Sequence, residues 1–443
     1  MPKVGLVSLG CPKNLVDSEV MLGHLVEEGY EITAAPQEAD VIIVNTCAFI
    51  EDAKEESIET ILEMAAYKEH GKCRRLVVTG CLAQRYREQI QRELPEVDAV
   101  LGVNEIPAVA RACDGDGALT VLEEQPLYLY DEREPRVLTT PPYTAYIKIA
   151  EGCDHPCTFC VIPRMRGPFR SRPLDSILAE ARTLAKRGVK EVNLVAQDST
   201  MYGQDRGERG GLAELLRRLN EVEGLRWIRF LYAYPTSLTD DTLEAVAATE
   251  KVCKYIDMPL QSASRRVLQR MKRGGHREAF LRLLERIRSR VPNVTLRSTL
   301  IVGFPGETEE DFQETVKFVE EAWLDRLGVF TYSDEEDAPA SRLAGKVPRE
   351  VASERAAILM EIQKEISRKK NRRLVGSKVP VLLAGPSPET DLLWWGRMEG
   401  QAPDIDGVVY INDGIEEGVR PGEIYPVRIT EAHDYDLVGA VEP

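Results

Sequence analysis

Apolar and polar positions alternate in blocks along the first 135 residues. VGLVSLG (4–10), VIIVNT (41–46) and RLVVTG (75–80) are nearly continuous apolar runs, and 99–103 is a shorter fourth. Amphipathic stretches over 17–28, 52–67 and 82–93 separate them. Short apolar runs alternating with helical periods predict βα units on a parallel sheet. The alternation resumes at a longer period from 143 to 372. Strands are expected at 144–150, 190–197, 226–233, 254–260, 294–302 and 327–332. Helical patterns between them include 175–187, 239–249, 262–272, 277–290 and 308–321, and 348–373 closes the segment. Six such units suggest an open (βα)6 barrel, two units short of the closed eightfold form, with ligands at the C-terminal ends of its strands. Five short strands with glycine and proline turns then fill 374–443 and suggest a small β-barrel. The expected class is α/β: an N-terminal parallel α/β domain (1–123), a charged, proline-bearing linker (124–142), the partial barrel (143–372) and a small five-stranded barrel (373–443).

Composition narrows the function. The chain has 443 residues, 43% apolar and 29% charged. No apolar run reaches the ~18 residues of a membrane helix, and the N-terminus lacks a secretory pattern, so a cytoplasmic protein is expected with no membrane partner. In a reducing compartment, nine cysteines suggest metal or redox chemistry rather than disulfides. The formal net charge of −16 disfavours nonspecific binding to phosphates and favours a basic partner, although solubility alone explains such a balance too.

Two sets of cysteines carry candidate chemistry. Cys153, Cys157 and Cys160, spaced C-x-x-x-C-x-x-C, follow the first barrel strand at the ligand-binding rim. Three soft thiolates suit an iron–sulfur cluster or zinc, and leave one metal position open. His155 falls within the tight loop, where a loop role suits it better than ligation. Cys11, Cys47 and Cys81 each end an apolar run, one βα unit apart. Strand C-termini of a parallel sheet share one edge, so these three converge on a second site. Cys73, Cys113 and Cys253 fit neither set and are read as structural.

The first cysteine run, at the start of a partial barrel, resembles the signature of radical S-adenosylmethionine enzymes. That resemblance implies a 4Fe-4S cluster on Cys153, Cys157 and Cys160, with S-adenosylmethionine chelated at its open iron and cleaved to a 5′-deoxyadenosyl radical. The whole chain resembles the methylthiotransferase subfamily, with a three-cysteine N-terminal domain, a radical domain and a terminal TRAM domain in order. This implies a second 4Fe-4S cluster on Cys11, Cys47 and Cys81, and S-adenosylmethionine as both methyl donor and radical source.

One branch of that subfamily modifies an adenosine of transfer RNA. The RimO-like branch modifies the β-carbon of an aspartate in ribosomal protein S twelve. The run Gly10–Cys11–Pro12–Lys13–Asn14–Leu15–Val16–Asp17–Ser18–Glu19 is similar to the RimO-like form, whereas the RNA branch usually has Gln-Met-Asn after the cysteine. Ile162–Pro163–Arg164–Met165–Arg166–Gly167 followed by Ser171–Arg172–Pro173 is similar to it as well. The TRAM segment from 374 carries four basic residues (Lys378, Arg397, Arg420, Arg428) against thirteen acidic ones, a net of −9. Such a domain repels RNA, and is expected instead to dock ribosomal protein S twelve or the small ribosomal subunit. Trp394 or Trp395 would supply an aromatic anchor; strand alternation turns one of them inward.

Gln197, Asp198, Gln261, Ser262, Gly303 and Glu307 lie at strand ends where the superfamily binds its cofactor, although turn chemistry explains each of them singly. Arg164, Arg166, Arg170 and Arg172 suit either a substrate carboxylate or internal salt bridges. The basic end of the 348–373 helix (Arg368, Lys369, Lys370, Arg372, Arg373) is read as macrodipole compensation rather than an RNA contact. The expected activity is therefore RimO-like methylthio transfer with an electron donor of unknown identity. The alternatives are a transfer-RNA methylthiotransferase and a metal-bearing ribosome-binding protein without catalysis.

Overall fold

The computed structural model describes all residues except 116–118, 122–125, 391, 417 and 443; for 119–121 only the backbone is described. The N-terminal sheet has six parallel strands in the order Glu31–Ile32, Lys3–Ser8, Val41–Thr46, Arg75–Gly80, Ala99–Leu101, Leu119–Val121. Val41–Thr46 and Arg75–Gly80 are buried at every position, as central strands covered on both faces must be. Glu31–Ile32 and Leu119–Val121 were not among the expected strands; two or three residues carry no readable period. The first helix, Pro12–Glu27, begins five residues before the amphipathic pattern does. Its first turns bury Lys13, Asn14, Asp17, Ser18 and Glu19, polar groups that hide a buried helix from any hydrophobic count.

The partial barrel is present. Thr144–Lys148, Glu191–Val195 and Trp227–Phe230 form one parallel sheet, and Tyr255–Asp257, Thr295–Val302 and Arg326–Thr331 another. A parallel bridge between Ile228 and Val252 joins them into six barrel strands. Helices including Leu174–Lys186, Gly211–Asn220, Asp240–Ala248, Arg277–Arg290 and Glu309–Ala322 surround a single apolar core. Thr308 and Asp311 close a reciprocal cap on the last of these, satisfying two of its unpaired N–H groups.

The described part of the 124–142 connection is packed rather than free. Arg136 pairs with Glu19 of the first helix and with Glu180 of the barrel, both buried. The Thr139 N–H and hydroxyl both donate to Glu19. A side chain at Gly23 would collide with the carbonyl of Pro135, so the first helix needs glycine where this segment crosses it. Beyond the last barrel strand, Glu335 accepts from Arg85 (2.7 Å) and pairs with Lys54 (3.2 Å), clamping the N-terminal sheet to the barrel.

The C-terminal segment closes into a five-stranded barrel of Lys378–Pro386, Trp394–Met398, Val409–Asp413, Leu437–Val441 and Ile424–Ala432. Val381, Leu383, Val409, Ile411, Val427 and Ile429 fill it, and Trp394 packs on that core. This barrel sits at the N-terminal ends of the larger barrel's strands. Glu191, the first residue of its strand, accepts from Arg397 and, at 3.2 Å, from Arg229. Burial opposes the charge, but these two arginines hold the Glu191 carboxyl down at about 2. Its contribution to stability is therefore complete above pH 4.5, the ordinary value, and is lost as pH falls toward 2. Glu191→Gln leaves Arg229 and Arg397 buried without a counter-charge, and is expected to cost about 3–5 kcal/mol in denaturant unfolding. The variant should also lose stability less steeply than wild type over that acid range.

Candidate functional site

Three thiols stand together at the C-terminal edge of the N-terminal sheet. Cys11 is the N-cap of Pro12–Glu27, Cys47 follows Val41–Thr46, and Cys81 opens the helix Cys81–Glu93. Two of the three thus sit at helix N-termini, where the macrodipole favours thiolate. Asn14 ties the strand ends: its amide nitrogen donates to the carbonyls of Leu9 and Thr46, each at 2.9 Å, and its oxygen lies 4.0 Å from Cys81 Sγ. Gly80 has φ +93, and a Cβ there would collide with Asn45 and with the Thr46 carbonyl, so the chain can turn into Cys81 only through glycine. Burial first, and then the neighbouring Cys81 and Cys11, push the Cys47 thiol up to about 12. That mutual influence marks the three as one group.

The second triad lies on the loop after Ala150–Glu151. Gly152 (φ +81) passes so close to Pro168 that any Cβ would strike its carbonyl. Cys153 N–H donates to Gly167 O, while Thr158 N–H and hydroxyl donate to the carbonyls of Met271 and Arg270. Cys153, Cys157 and Cys160 line one cavity of about 510 Å3 together with His155 and Lys272. Arg273 Nη1 and the Ile162 N–H reach Cys157 and Cys160 Sγ, each at 3.5 Å. Burial pushes the Cys160 thiol up to about 12 and Cys153 to about 11. Among the described residues, no three such side chains already close around a single metal position. The donor chemistry nonetheless fits: all-sulfur sets, N–H groups aimed at sulfur, and a positive group beside each triad.

His155 has the expected loop role. Its Nε2 meets Asp198 at 2.7 Å and its ring stacks on Tyr234 at 3.8 Å. Asp198 also caps the turn at Thr200, so both of its oxygens are engaged within the chain. Gln197 donates to Glu151 (2.5 Å) and keeps its own oxygen buried without a donor; the Gln261 oxygen is likewise unpaired. Both lie past the ends of barrel strands, where they fit the amino or hydroxyl donors of S-adenosylmethionine. Ser262 accepts from the Ser264 N–H. Gly303 and Glu307 are both engaged within the chain. Glu307 spends one oxygen on the N–H groups of Gly303 and Phe304 and the other on Arg355. A Cβ on Gly303 would collide with Ala352 of the helix Arg349–Arg372. These two residues hold a turn beneath that helix.

The arginines resolve mostly into internal pairs. Arg172 is fully buried against Glu180, and Arg170 donates to backbone carbonyls. Arg164, at the cavity rim, meets Asp337 at 3.0 Å. Arg166 does most. With Lys148 it forms a buried set of two cations and two carboxylates, each cation touching both Asp17 and Glu151. Arg166 also donates to the Asn14 oxygen beside Cys81, while Glu151 stands two residues before Cys153. The network therefore spans the two triads. Although burial opposes it, Lys148 and Arg166 hold the Glu151 carboxyl well below the usual carboxylate range. The partners lie 131 to 149 residues apart (Asp17 to Lys148 and to Arg166), a separation no local pattern reports. Charged residues placed among the buried positions of the first helix were the available clue.

Comparison with known proteins agrees with this geometry. Residues 3–102 match the Uncharacterized protein family UPF0004, 147–319 the Radical SAM superfamily and 375–441 the TRAM domain. The chain is 55% identical to the ribosomal protein uS12 methylthiotransferase RimO of Solibacter usitatus, covering 99% of this chain and 94% of that one. It is 51% identical to the protein of that name from Pelotomaculum thermopropionicum, over 99% and 98%. The radical S-adenosylmethionine methyltransferase TsrM of Kitasatospora setae, solved with cobalamin and a [4Fe-4S] cluster, shares the fold at a TM-score of 0.53 and 15% identity, over 75% of each chain.

Proposed function

Since the chain belongs to the RimO family of radical S-adenosylmethionine methylthiotransferases, we propose that it places a methylthio group on the β-carbon of an aspartate in ribosomal protein uS12. The protein is a transferase of that family, using two 4Fe-4S clusters and S-adenosylmethionine. Membership in an enzyme family removes the non-catalytic reading. The observation that carries the proposal is the joining of two thiol triads by one buried ionic network.

Cys153, Cys157 and Cys160 would hold the cluster that reduces S-adenosylmethionine, and Cys11, Cys47 and Cys81 the one at which the methylthio group is assembled. When bound, these groups supply the radical that removes hydrogen from the substrate carbon and the sulfur that replaces it. The chain's own residues fix the geometry. Gln197 and Gln261 offer unpaired oxygens to the cofactor. His155, stacked on Tyr234 and tied to Asp198, keeps the cluster loop rigid. Arg166 and Asn14 set the separation of the triads.

The terminal barrel supports the protein substrate over RNA. Arg397 is buried against Glu191, and Arg428 and Lys378 pair with Glu442, leaving Arg420 as its cation outside these pairs. Part of its acidic excess is internal too: Asp406 meets Tyr255 and Arg297, and Asp434 meets Arg368. The docking face for basic uS12 is therefore narrower than the net charge implies, and rests on exposed Asp413, Glu416 and Glu431. This barrel lies at the end of the larger barrel opposite the thiols, so a docked uS12 must extend a loop to the mouth. No helix among the described residues is long and apolar enough to cross a membrane, and the site of action we infer is the cytoplasm, with an external electron donor.

The test is a competition. Anaerobically reconstituted protein, reductant and S-adenosylmethionine are given uS12 and bulk transfer RNA together. Mass spectrometry is expected to find the methylthio group on an aspartate of uS12. An adduct on RNA alone would overturn the substrate reading.

A further inference from the structure

Lys13 has no part in the network described above, yet it is a buried cation between the N-terminal domain and the barrel. It is only 8% exposed. It leaves the N-terminal domain two residues after Cys11 and crosses to the barrel. There its Nζ finds one carbonyl acceptor, Ala196 O, at 3.4 Å, and lies 3.9 Å from the centre of the Tyr232 ring. An ammonium has three donors, and burying it with one long hydrogen bond and a ring face leaves it under-satisfied. Ala196 and Tyr232 mark the C-terminal ends of the second and third barrel strands, where a substrate must enter. The backbone there is also unusual: Tyr232 (φ +64) is a non-glycine residue in the left-handed region, a kind of strain that gathers at functional sites.

We propose that Lys13 is the residue that receives the carboxylate of the substrate aspartate, making it a specificity determinant for an acidic side chain. The proposal rests on the uS12 aspartate reading above. A carboxylate presented between the ends of the second and third strands accepts the donors that Ala196 leaves free, and fixes the neighbouring β-carbon between the two triads. The cations near Glu151 are already neutralised by Asp17 and Glu151 themselves, so they leave no charge for a substrate.

The experiment compares wild type with Lys13→Met and Lys13→Arg on uS12 and on uS12 carrying asparagine in place of the modified aspartate. Iron and sulfide are measured on each preparation. For Lys13→Met, KM for uS12 is expected to rise about tenfold or more, the loss of a charge-assisted hydrogen bond, and the preference for aspartate over asparagine to vanish. Lys13→Arg is expected to restore that preference, with iron content at the wild-type level in both variants. An unchanged aspartate preference in Lys13→Met overturns the assignment. So does iron loss in both variants, which would make Lys13 a support for the Cys11 cluster. A wild-type enzyme that leaves uS12 unmodified overturns the substrate reading itself, a result separable from either of these.

Discussion

Cys157→Ala is expected to abolish both 5′-deoxyadenosine and methylthiolated uS12, by about three orders of magnitude or more, whereas Cys47→Ala abolishes only the second. The division follows from position. Cys157 lines the cavity of about 510 Å3 beside Cys153 and Cys160, with Arg273 against its sulfur. Cys47 belongs to the other edge, between Gly10 and Ser57, whose hydroxyl accepts its N–H and donates to its carbonyl. On the proposed assignment, S-adenosylmethionine cleavage needs Cys153, Cys157 and Cys160 and none of Cys11, Cys47 and Cys81. Liquid chromatography of the nucleoside and mass spectrometry of uS12 from one reaction read both halves. Methylthiolated uS12 from Cys47→Ala would refute the assignment of the N-terminal triad.

Arg166→Met is expected to be the most destabilising single change at the junction, by about 3 kcal/mol or more. Lys148, Arg166, Asp17 and Glu151 are all buried and their charges balance. Removing the guanidinium leaves one uncompensated carboxylate out of water, and leaves the Asn14 oxygen without its donor. The variant should unfold earlier in denaturant and bind less iron at the N-terminal triad. Adding Asp17→Asn restores neutrality, so the double variant should recover part of the lost stability. A double variant no more stable than Arg166→Met would show that charge balance is not what the junction requires.

The two triads were legible because their spacing is local or follows the βα period: Cys153, Cys157 and Cys160 sit on one loop, and Cys11, Cys47 and Cys81 fall at equivalent strand ends. Both barrels were legible for the same reason, since their strands carry their own apolar periods. What binds the parts together was not. Asp17 meets Lys148 and Arg166 across more than 130 residues, and Glu335 meets Arg85 across 250. Pairing of that kind depends on the assembled fold, and charged residues in sequence look the same whether solvated or buried. The partner of Glu307 was equally hidden: Arg355, which pairs with one oxygen of its carboxylate, lies 48 residues on. The internal pairing of TRAM acidic residues was hidden in the same way: Glu399, Asp406, Asp434 and Glu442 all have partners inside the chain.

The most direct measurement is Mössbauer spectroscopy of iron-57-reconstituted protein, with and without S-adenosylmethionine, on wild type and Cys47→Ala. The expected wild-type spectrum is that of two 4Fe-4S clusters per chain, one of which has a single iron that changes on adding S-adenosylmethionine. Cys47→Ala should lose one cluster and keep the responsive one. A single cluster in wild type, or loss of the S-adenosylmethionine response in Cys47→Ala, would contradict the division of the six cysteines into two separate sites.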